Sequence, residues 1–246
     1  MKSAAGATRG ARDVLPAGAA KRAAVTAMFD RIAPRYDLMN RLMTWGADRG
    51  WRRRAIAALH LQSGAHVLDI GCGSGDLAEE AARTGARVVA LDLSAGMLRC
   101  AGARRLPCVL VRGDALRLPL ADARVDAVVS GFALRNFTDL AAAFGECARV
   151  LRRGGRIALL EVDRPRSALL RAGHALYFHR LVPLLGALLA DGAAYRYLPA
   201  STAYLPGDNT LAAMLVEAGF ENVVKERLLA GAAQLITARR GAQAHA

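Results

Sequence analysis

Between residues 66 and 162 the chain alternates short apolar stretches with stretches of helical pattern, and this alternation most limits the folds open to it. Such a pattern indicates βαβ units and a parallel sheet covered by helices on both faces. We therefore predict a doubly wound α/β fold. The predicted strands are His66–Ile70, Arg87–Leu91, Val109–Arg112, Val125–Ser130 and Ile157–Val162.

Helices are predicted between these strands. One is expected at about Asp76–Arg83, directly after the first strand. A second, at about Ser94–Ala103, begins with a residue whose hydroxyl can accept a hydrogen bond from a free amide of the first turn. A third is expected at Thr138–Leu151, with the two glycines at 154 and 155 ending it.

The sequence before the first strand divides into a tail and a helical region. Residues 1–20 mix small, basic and turn-forming residues without periodicity, which predicts a disordered basic tail. From Ala23 the apolar spacing is helical, Pro34 interrupts it, and it resumes at Asp37–Met43 and Asp48–Leu59. We predict that these helices form a lid over the sheet.

The sequence after the fifth strand breaks the alternation. Residues 165–200 are apolar and helical in pattern, which predicts a helical insertion. A helix at Leu211–Glu217 follows, and Val223–Leu229 and Gln234–Ala238 are expected to close a mostly parallel seven-stranded sheet as an antiparallel pair. The chain thus reads as one domain over residues 21–240, followed by a tail at 241–246.

Apolar content and net charge indicate how many domains the chain forms and what kind of partner it could attract. Of 246 residues, 54% are hydrophobic, which suits one domain with a full core, and the net charge is +13. Residues 1–54 hold twelve Lys and Arg against four Asp, a net +8. Either this is an arginine-rich surface that maintains solubility, or it attracts an anionic partner such as an acidic membrane leaflet.

Cysteine spacing and apolar runs predict a cytoplasmic protein without a metal. The four cysteines, at 72, 100, 108 and 147, form no C-x-x-C pair, so we expect neither a metal site nor a disulfide. The first twenty residues lack the apolar stretch of a signal peptide. The longest apolar run, Leu181–Ala190, is too short to span a bilayer, so an integral membrane protein is not expected.

The loop after the first strand carries the clearest ligand signal. It reads DIGCGSGD over residues 69–76, and such a loop at the carboxyl end of a strand, before a helix, is a usual ligand site. The dinucleotide fingerprint would place a third glycine where Asp76 stands, and a carboxylate there repels a pyrophosphate. Acidic residues around the loop instead favour a cationic ligand with an α-ammonium group.

Two further acids complete the pattern at the next strand ends. Asp92 can accept the hydroxyls of a ribose, and Asp114-Ala115 follows the third strand, where an adenine amino group would lie. S-adenosylmethionine has an ammonium, a sulfonium and an adenosine, so it fits all three positions. The alternatives are a tight turn with three surface carboxylates, and an NAD enzyme, which Asp76 disfavours.

Several longer segments resemble one known family. The order of the strand-end motifs is that of class I S-adenosylmethionine-dependent methyltransferases. Residues 28–45 (MFDRIAPRYDLMNRLMTW), 131–138 (GFALRNFT), 195–198 (YRYL) and 208–220 (DNTLAAMLVEAGF) together resemble the UbiE/MenG family of quinone-biosynthesis C-methyltransferases. The resemblance covers about Val25 to Thr237. Gly131 stands where the family usually has Ser, and Cys72 and Ser74 where Ala or Thr are usual.

The resemblance implies a reaction and a donor site. The reaction is methylation of a ring carbon of demethylmenaquinol to give menaquinol, with demethoxy-type ubiquinone precursors as the other known substrate class. The resemblance adds Ser74 and Gly131 to the predicted methyl-donor site. The residues expected there are Asp69, Gly71, Gly73, Ser74, Asp92, Leu93, Asp114, Ala115 and Gly131.

Candidate catalytic groups follow the fourth strand. Arg135 could stabilise a developing phenolate and Asn136 could hold a ring oxygen or a water, although a salt-bridged arginine and a helix-start asparagine remain open. Tyr36, in the predicted lid, is a third catalytic candidate or part of an interhelix turn. The residues predicted to line the quinol pocket, or else to be core, are Tyr36, His179, Tyr195 and Tyr197.

The predicted partners follow from this function. We expect a prenylated quinol in a groove at 165–200, peripheral contact with the anionic inner face of the membrane, and no nucleic acid, while a homodimer is left open. A base-methylating enzyme would carry an Asn/Asp-Pro-Pro-aromatic segment where residues 130–136 read SGFALRN. Another small-molecule methyltransferase and a non-catalytic donor-binding subunit remain alternatives.

Overall fold

A sheet in the strand order β3-β2-β1-β4-β5-β7-β6 forms the centre of the computed structural model, which describes residues 18–163, 197 and 200–242. Neighbours among β1 to β5 run parallel, while β7 is antiparallel to both β5 and β6. The predicted mostly parallel seven-stranded sheet is confirmed. The strands are β1 His66–Ile70, β2 Arg87–Asp92, β3 Cys108–Arg112, β4 Val125–Gly131, β5 Leu151–Val162, β6 Phe220–Leu228 and β7 Ala233–Arg240.

The central strands are apolar on both faces because helices cover both. Successive residues of a strand point to opposite sides, so Val67 and Leu68 of β1 enter different cores, and each is fully buried. One core contains Phe144 and the other Ala78. The helices are α1 Gly18–Thr44, α2 Ala47–Ala58, α3 Asp76–Ala82, α4 Ala95–Ala103, α5 Leu140–Val150 and α6 Asp208–Glu217.

Helix α1 corrects two predictions about the amino-terminal region. It runs uninterrupted through Pro34, where the sequence predicted a break. A proline inside a helix costs about 3 kcal/mol, and burial of Ile32 and Met39 on either side offsets that cost. The helix also begins at Gly18, inside the predicted disordered tail, because Lys21 is already buried. Residues 1–17 lie outside the described part of the chain.

Side-chain caps decide where α4, after β2, and α5, after β4, begin. The predicted cap at Ser94 is confirmed, since its hydroxyl accepts a hydrogen bond from the Met97 amide at 3.1 Å. The predicted cap at Thr138 is wrong by one residue. The carboxylate of Asp139 accepts from the Ala142 amide at 2.9 Å and begins α5.

The end of α5 also differs from the prediction. The helix ends at Val150, and β5 begins at Leu151, so the two glycines expected to end the helix lie inside the strand. Gly154 has a φ of 75° there, and the pairing of β5 with β4 shifts register between Val125 and Ala127. The glycines that make the start of β5 irregular are the same residue type that ends helices, so the sequence pattern was interpreted as a helix stop.

Two further properties bear on the surroundings of the protein. Among the described residues, no helix is both long and apolar enough to cross a bilayer. All four cysteines are free thiols. Of the predicted insertion at 165–200, only residues 197 and 200 are described, and both are helical.

Candidate active site

A cleft lies at the carboxyl ends of β1 to β4, under the first half of α1. It encloses about 760 Å³, its open mouth included. The first four strands deliver their following loops to this one place because parallel strands end at the same edge of the sheet. Its walls are formed by Arg22, Val25, Thr26, Phe29, Tyr36, Gly71, Gly73, residues 91–94, Met97, residues 113–116, residues 131–133 and residues 136–138.

The glycine loop after β1 forms one wall of the cleft. Gly71 and Gly73 have φ values of 65° and 56°, a conformation that side chains with a Cβ rarely adopt. A Cβ on Gly71 would lie 2.7 Å from the Cβ of Ala133, which follows the neighbouring strand β4. The Gly73 amide donates to Asp92 Oδ2 at 2.8 Å and so connects the loop to the end of β2. These glycines let the backbone itself form the surface that a ligand meets.

Asp92 lies at the end of β2 with its carboxylate at the cleft wall. Its oxygens accept from the Ser94 amide at 2.8 Å and from Gly73. Burial raises its pKa above the ordinary aspartate value, against the lowering effect of these amides. A carboxylate held by two backbone amides has a fixed orientation, and each oxygen keeps a lone pair for a hydroxyl of a ligand.

Asp114 and Ala115 follow β3 on the next part of the wall. Asp114 accepts from the Arg22 guanidinium at 2.6 Å and from the Leu116 amide at 3.0 Å. Because Arg22 belongs to α1, this ion pair closes one side of the cleft. Gly131 at the end of β4 faces Leu77, whose Cδ1 would lie 2.7 Å from an added Cβ.

Helix α1 is fastened to the sheet beside the cleft by an acid that the sequence analysis did not single out. Asp30 Oδ1 accepts from the Ser94 hydroxyl at 2.6 Å and from the Gly96 amide at 2.7 Å. A Cβ on Gly96 would lie 2.8 Å from the Asp30 Cα, so this glycine permits the close approach. The predicted lid is therefore packed on α4 rather than standing apart from it.

Ser74 does not line the cleft but faces α1, the predicted lid. Its hydroxyl donates to Asp37 of α1, and its carbonyl accepts from Arg104 Nη1 at 2.9 Å. The Arg104 guanidinium also pairs with Asp76 at 2.6 Å. The residue expected to contact the methyl donor thus joins the glycine loop to the lid, and Arg104 supports both.

Asp69 is fully buried behind the glycine loop, also outside the cleft wall. Neither carboxylate oxygen makes a hydrogen bond of ordinary geometry among the described residues, although the backbone of Ala78 is near enough to act against the rise in its pKa. Burial, with a smaller contribution from the Asp92 charge, raises its pKa to about 8. The group is therefore expected to be mostly protonated at neutral pH in the folded protein.

Replacing Asp69 with asparagine is expected to flatten the dependence of stability on pH. The folded-state pKa is raised, so the native protein binds this proton more tightly than the unfolded chain. The stability it contributes is present at low pH and is lost as the pH rises from about 4 through about 8. Urea unfolding at pH 5 and pH 8.5 measures this loss in both proteins. Equal losses would contradict the assignment.

Asn136 and Tyr36 line the cleft beside the glycine loop, and Tyr197 lies behind Asn136. The hydroxyl of Tyr197 donates to Asn136 Oδ1 at 2.6 Å, while the asparagine side chain lines the cleft. Burial raises the pKa of Tyr197 to about 12, so it keeps the proton that it donates. Burial also raises the pKa of Tyr36, which lines the cleft as a protonated phenol. His179 and Tyr195 lie outside the described residues.

Arg135 points away from the cleft and into a buried ion pair. Its guanidinium pairs with Glu161 of β5, and Nε donates to Ser201 Oγ at 3.1 Å. Burial is the largest single effect and acts to lower the pKa of Arg135, but the charge and hydrogen bond of Glu161, with the two tyrosine phenols nearby, together raise the pKa. The guanidinium stays charged and fixes the position of the Leu134–Asn136 turn. The geometry thus favours the salt-bridged alternative, with Arg135 as a positioning residue.

Lys21 provides a second fastening of that turn to α1. Its ammonium donates to the carbonyls of Arg135 at 3.3 Å and Phe137 at 3.1 Å, and lies 4.0 Å from the ring centre of Tyr204. Burial lowers its pKa. Both Lys21 and Glu161 were missed at the sequence level. A lone glutamate at the end of an apolar strand was the available signal for Glu161.

The comparison with known families decides the class of the protein. A family model described as the ubiE/COQ5 methyltransferase family matches residues 17–240. The chain belongs to this family. It is therefore a methyltransferase that depends on S-adenosylmethionine, and the cleft at the strand ends is its candidate active site. No three His, Cys, Asp or Glu side chains in the described part of the chain are grouped as a metal site would require.

Relatives of this UbiE/COQ5 family member support the assignment over most of its length. The chain is 46% identical over 233 residues to a demethylmenaquinone methyltransferase of Roseiflexus castenholzii, covering 92% of this chain and 97% of that one. It is 40% identical over 219 residues to the ubiquinone/menaquinone biosynthesis C-methyltransferase UbiE of Syntrophotalea carbinolica, covering 87% and 92%. Both matches extend across the predicted domain.

Solved structures confirm the fold independently. A SAM-dependent methyltransferase of Thermotoga maritima superposes with a TM-score of 0.63 at 21% identity, covering 87% of this chain and 99% of that one. At that identity the likeness concerns the α/β architecture. The predicted doubly wound class I methyltransferase fold is confirmed.

Proposed function

We propose that this methyltransferase converts demethylmenaquinol to menaquinol by methylating a ring carbon. The observation that carries the proposal is that one cleft is lined both by the strand-end acids Asp92 and Asp114 and by a fixed asparagine and a phenol, Asn136 and Tyr36. The names of relatives at 40% identity and above support the same reaction. A ubiquinone precursor of the same chemistry is the alternative substrate.

The residues of the donor wall suit S-adenosylmethionine. Asp92 offers two oriented oxygens to the ribose hydroxyls, and Asp114 and Ala115 stand where an adenine edge would lie. Gly71 and Gly73 leave room for the amino-acid part of the molecule against the loop backbone. This ligand supplies an electrophilic methyl group on a sulfonium, which is already a good leaving group.

Asn136 and Tyr36 orient the quinol. Since Tyr197 occupies Asn136 Oδ1, the amide nitrogen of Asn136 is the group left to donate to a quinol oxygen. Donation to a developing phenolate stabilises the charge on its oxygen and so favours loss of the hydroxyl proton to solvent. It is the loss of this proton that increases electron density at the ortho ring carbon, which then attacks the methyl group as the thioether of the donor leaves. Tyr36, protonated at neutral pH, serves as a second hydrogen-bond donor rather than as a base. Alignment of the two reactants supplies much of the rate enhancement.

Removal of the Tyr197 hydroxyl is expected to lower kcat about tenfold, because the lost hydrogen bond is worth about 1 to 1.5 kcal/mol and Asn136 loses its fixed orientation. Tyr197→Phe should leave the Kd for S-adenosylmethionine unchanged. Steady-state kinetics and calorimetry separate the two effects. In an Asn136→Ala background, Tyr197→Phe should have little further effect. Additive losses in the double variant would show that Tyr197 does not act through Asn136.

The proposed setting is the cytoplasm, with peripheral contact to the inner face of the membrane that holds the quinol. The net charge of +13 supports attraction to an anionic leaflet. The groove proposed for the prenyl tail, at residues 165–200, lies almost wholly outside the described residues. Whether the enzyme acts as a homodimer remains a separate proposal.

Turnover with a short-chain demethylmenaquinol tests the function directly. Purified protein, the reduced quinone and S-adenosylmethionine with a deuterated methyl group should yield a product carrying one labelled methyl on a ring carbon. A matched reaction with a demethoxy-type ubiquinone precursor distinguishes the alternative. Methylation of a phenol oxygen, or of neither quinol, would overturn the proposal.

A further inference from the structure

Three exposed apolar side chains cluster where α1 turns into α2. Leu38, Leu42 and Trp45, here called the apolar tip, expose 54%, 42% and 85% of their surface. Leu38 and Leu42 are four residues apart and lie on one side of α1 near its end. Trp45 follows in the turn before α2, with a φ of 53°. The other large exposed apolar residues of the described chain are spread over distant elements: Val109, Val216, Val224 and Leu229. A cluster of this kind on a surface indicates a contact with another body.

Unpaired positive charge lies next to the apolar tip. Arg41, Arg49 and Arg53 are exposed, and none takes part in an ion pair among the described residues. They line one groove with three other arginines, at 52, 83 and 104, and with the acids at 48, 76, 79 and 80. All four acids of this groove are paired with those other three arginines. The unpaired guanidinium groups are therefore available to an external anion.

We propose that the apolar tip and these three arginines are the surface by which the enzyme docks on an anionic bilayer. A tryptophan with leucines beside it suits the boundary between head groups and acyl chains, and arginines beside them suit lipid phosphates. A bilayer supplies both at once, and this charge complementarity favours it over an uncharged protein partner. The inference rests on the proposed function, since a prenylated quinol resides in the membrane.

The placement of the apolar tip connects docking to catalysis. Tyr36, which lines the cleft, is two residues before Leu38 on the same helix. The six-residue separation between Tyr36 and Leu42 on this helix spans about 9 Å at the rise of an α-helix, and Trp45 follows in the next turn. Insertion of the tip into a leaflet therefore brings the cleft close to the surface from which the quinol is taken.

Vesicle binding by the full chain tests the proposal. Wild type should sediment with phosphatidylcholine vesicles that contain about one third phosphatidylglycerol, and far less with pure phosphatidylcholine. Leu42→Ser with Trp45→Ser should weaken binding at least about tenfold. Arg41→Gln, Arg49→Gln and Arg53→Gln together should weaken it by about 100-fold at low salt. Val224→Ser, an exposed apolar residue of β6, is the matched control and should bind as wild type does.

Fluorescence locates the contact at the tip. The chain has two tryptophans, so Trp51→Phe leaves Trp45 alone to report. Its emission should shift to the blue on binding anionic vesicles and should be quenched by brominated acyl chains. An unshifted emission from bound protein would overturn the assignment of the tip. A change from dimer to monomer in the tip variants, with vesicle binding intact, would instead assign the surface to a second copy.

Turnover in two formats separates docking from the proposed function. Tip variants should methylate a soluble short-chain quinol at the wild-type rate, but should lose at least about tenfold in rate on a long-chain quinol in anionic vesicles. Equal rates for variant and wild type in vesicles would overturn the docking surface and leave the function intact. Failure of wild type with the soluble quinol as well would instead refute the proposed function.

Discussion

Replacing Gly71 with valine is expected to weaken S-adenosylmethionine binding at least about 100-fold, equivalent to about 2.7 kcal/mol. Gly71 has a φ of 65°, a conformation that costs a residue with a Cβ about 1 to 2 kcal/mol. Its new Cβ would also lie 2.7 Å from that of Ala133 in the neighbouring loop after β4. The loop must move, and the Gly73 amide then loses its position against Asp92. Isothermal titration calorimetry measures the change in affinity.

Gly145→Ala is the control for a substitution at glycine. Gly145 lies on an exposed position of α5, and nothing lies within 4 Å of the Cβ it would gain. Affinity for the methyl donor should be unchanged, and stability should rise slightly, because alanine favours a helix by about 1 kcal/mol over glycine. A Gly71→Val protein that folds and binds the donor as tightly as this control would contradict the loop geometry.

Replacing Glu161 with glutamine is expected to cost about 3 to 5 kcal/mol of unfolding free energy. Glu161 is fully buried and pairs with Arg135, and it also accepts from the Val162 amide at 2.9 Å. Without the carboxylate, a buried guanidinium keeps its charge and loses its counter-charge. Urea unfolding at neutral pH measures the loss, and residual turnover should fall as the Leu134–Asn136 turn loosens.

Glu226→Gln is the matched control because it makes the same chemical change on the surface. Glu226 pairs with Arg54 at 2.7 Å, with the two side chains 38% and 62% exposed. Water screens that pair, so the cost should be below about 1 kcal/mol. If both substitutions cost the same, the Arg135–Glu161 pair is not buried in solution.

Combined replacement of Arg135 and Glu161 by apolar residues should recover much of the stability that Glu161→Gln loses.

The sheet could be predicted from the sequence because its strands are apolar on both faces. The β1 bounds, His66–Ile70, match the prediction. Most other strands differ by a few residues at their ends, but the first half of β5, residues 151–156, was not predicted. Pro34 led to the wrong prediction of a helix break because local propensity carries no information on tertiary burial. Helix α1 is held by core contacts on both sides of the proline. The two glycines of β5 led to the wrong prediction of a helix end because glycine is common both at strand irregularities and at helix ends.

The residues around the methyl donor could be predicted better than the contacts that hold the rest of the site. Gly71, Gly73, Asp92 and Asp114 each follow a strand end, and the topology of a parallel sheet alone brings strand ends together. The contacts of Ser74 with Asp37 and of Arg135 with Glu161 join segments far apart in sequence. Spacing along the chain cannot reveal such pairs. For the same reason Asp30 and Lys21 were missed, although both fasten the lid.

Calorimetric titration of the full-length chain with S-adenosylmethionine tests most directly the claim that the strand-end cleft is a methyl-donor site. One molecule should bind per chain, and Asp92→Ala should weaken binding at least about 30-fold, because the oriented carboxylate is lost while circular dichroism still shows a folded protein. Absence of heat from well-folded wild type, or equal affinity in the two proteins, would contradict it.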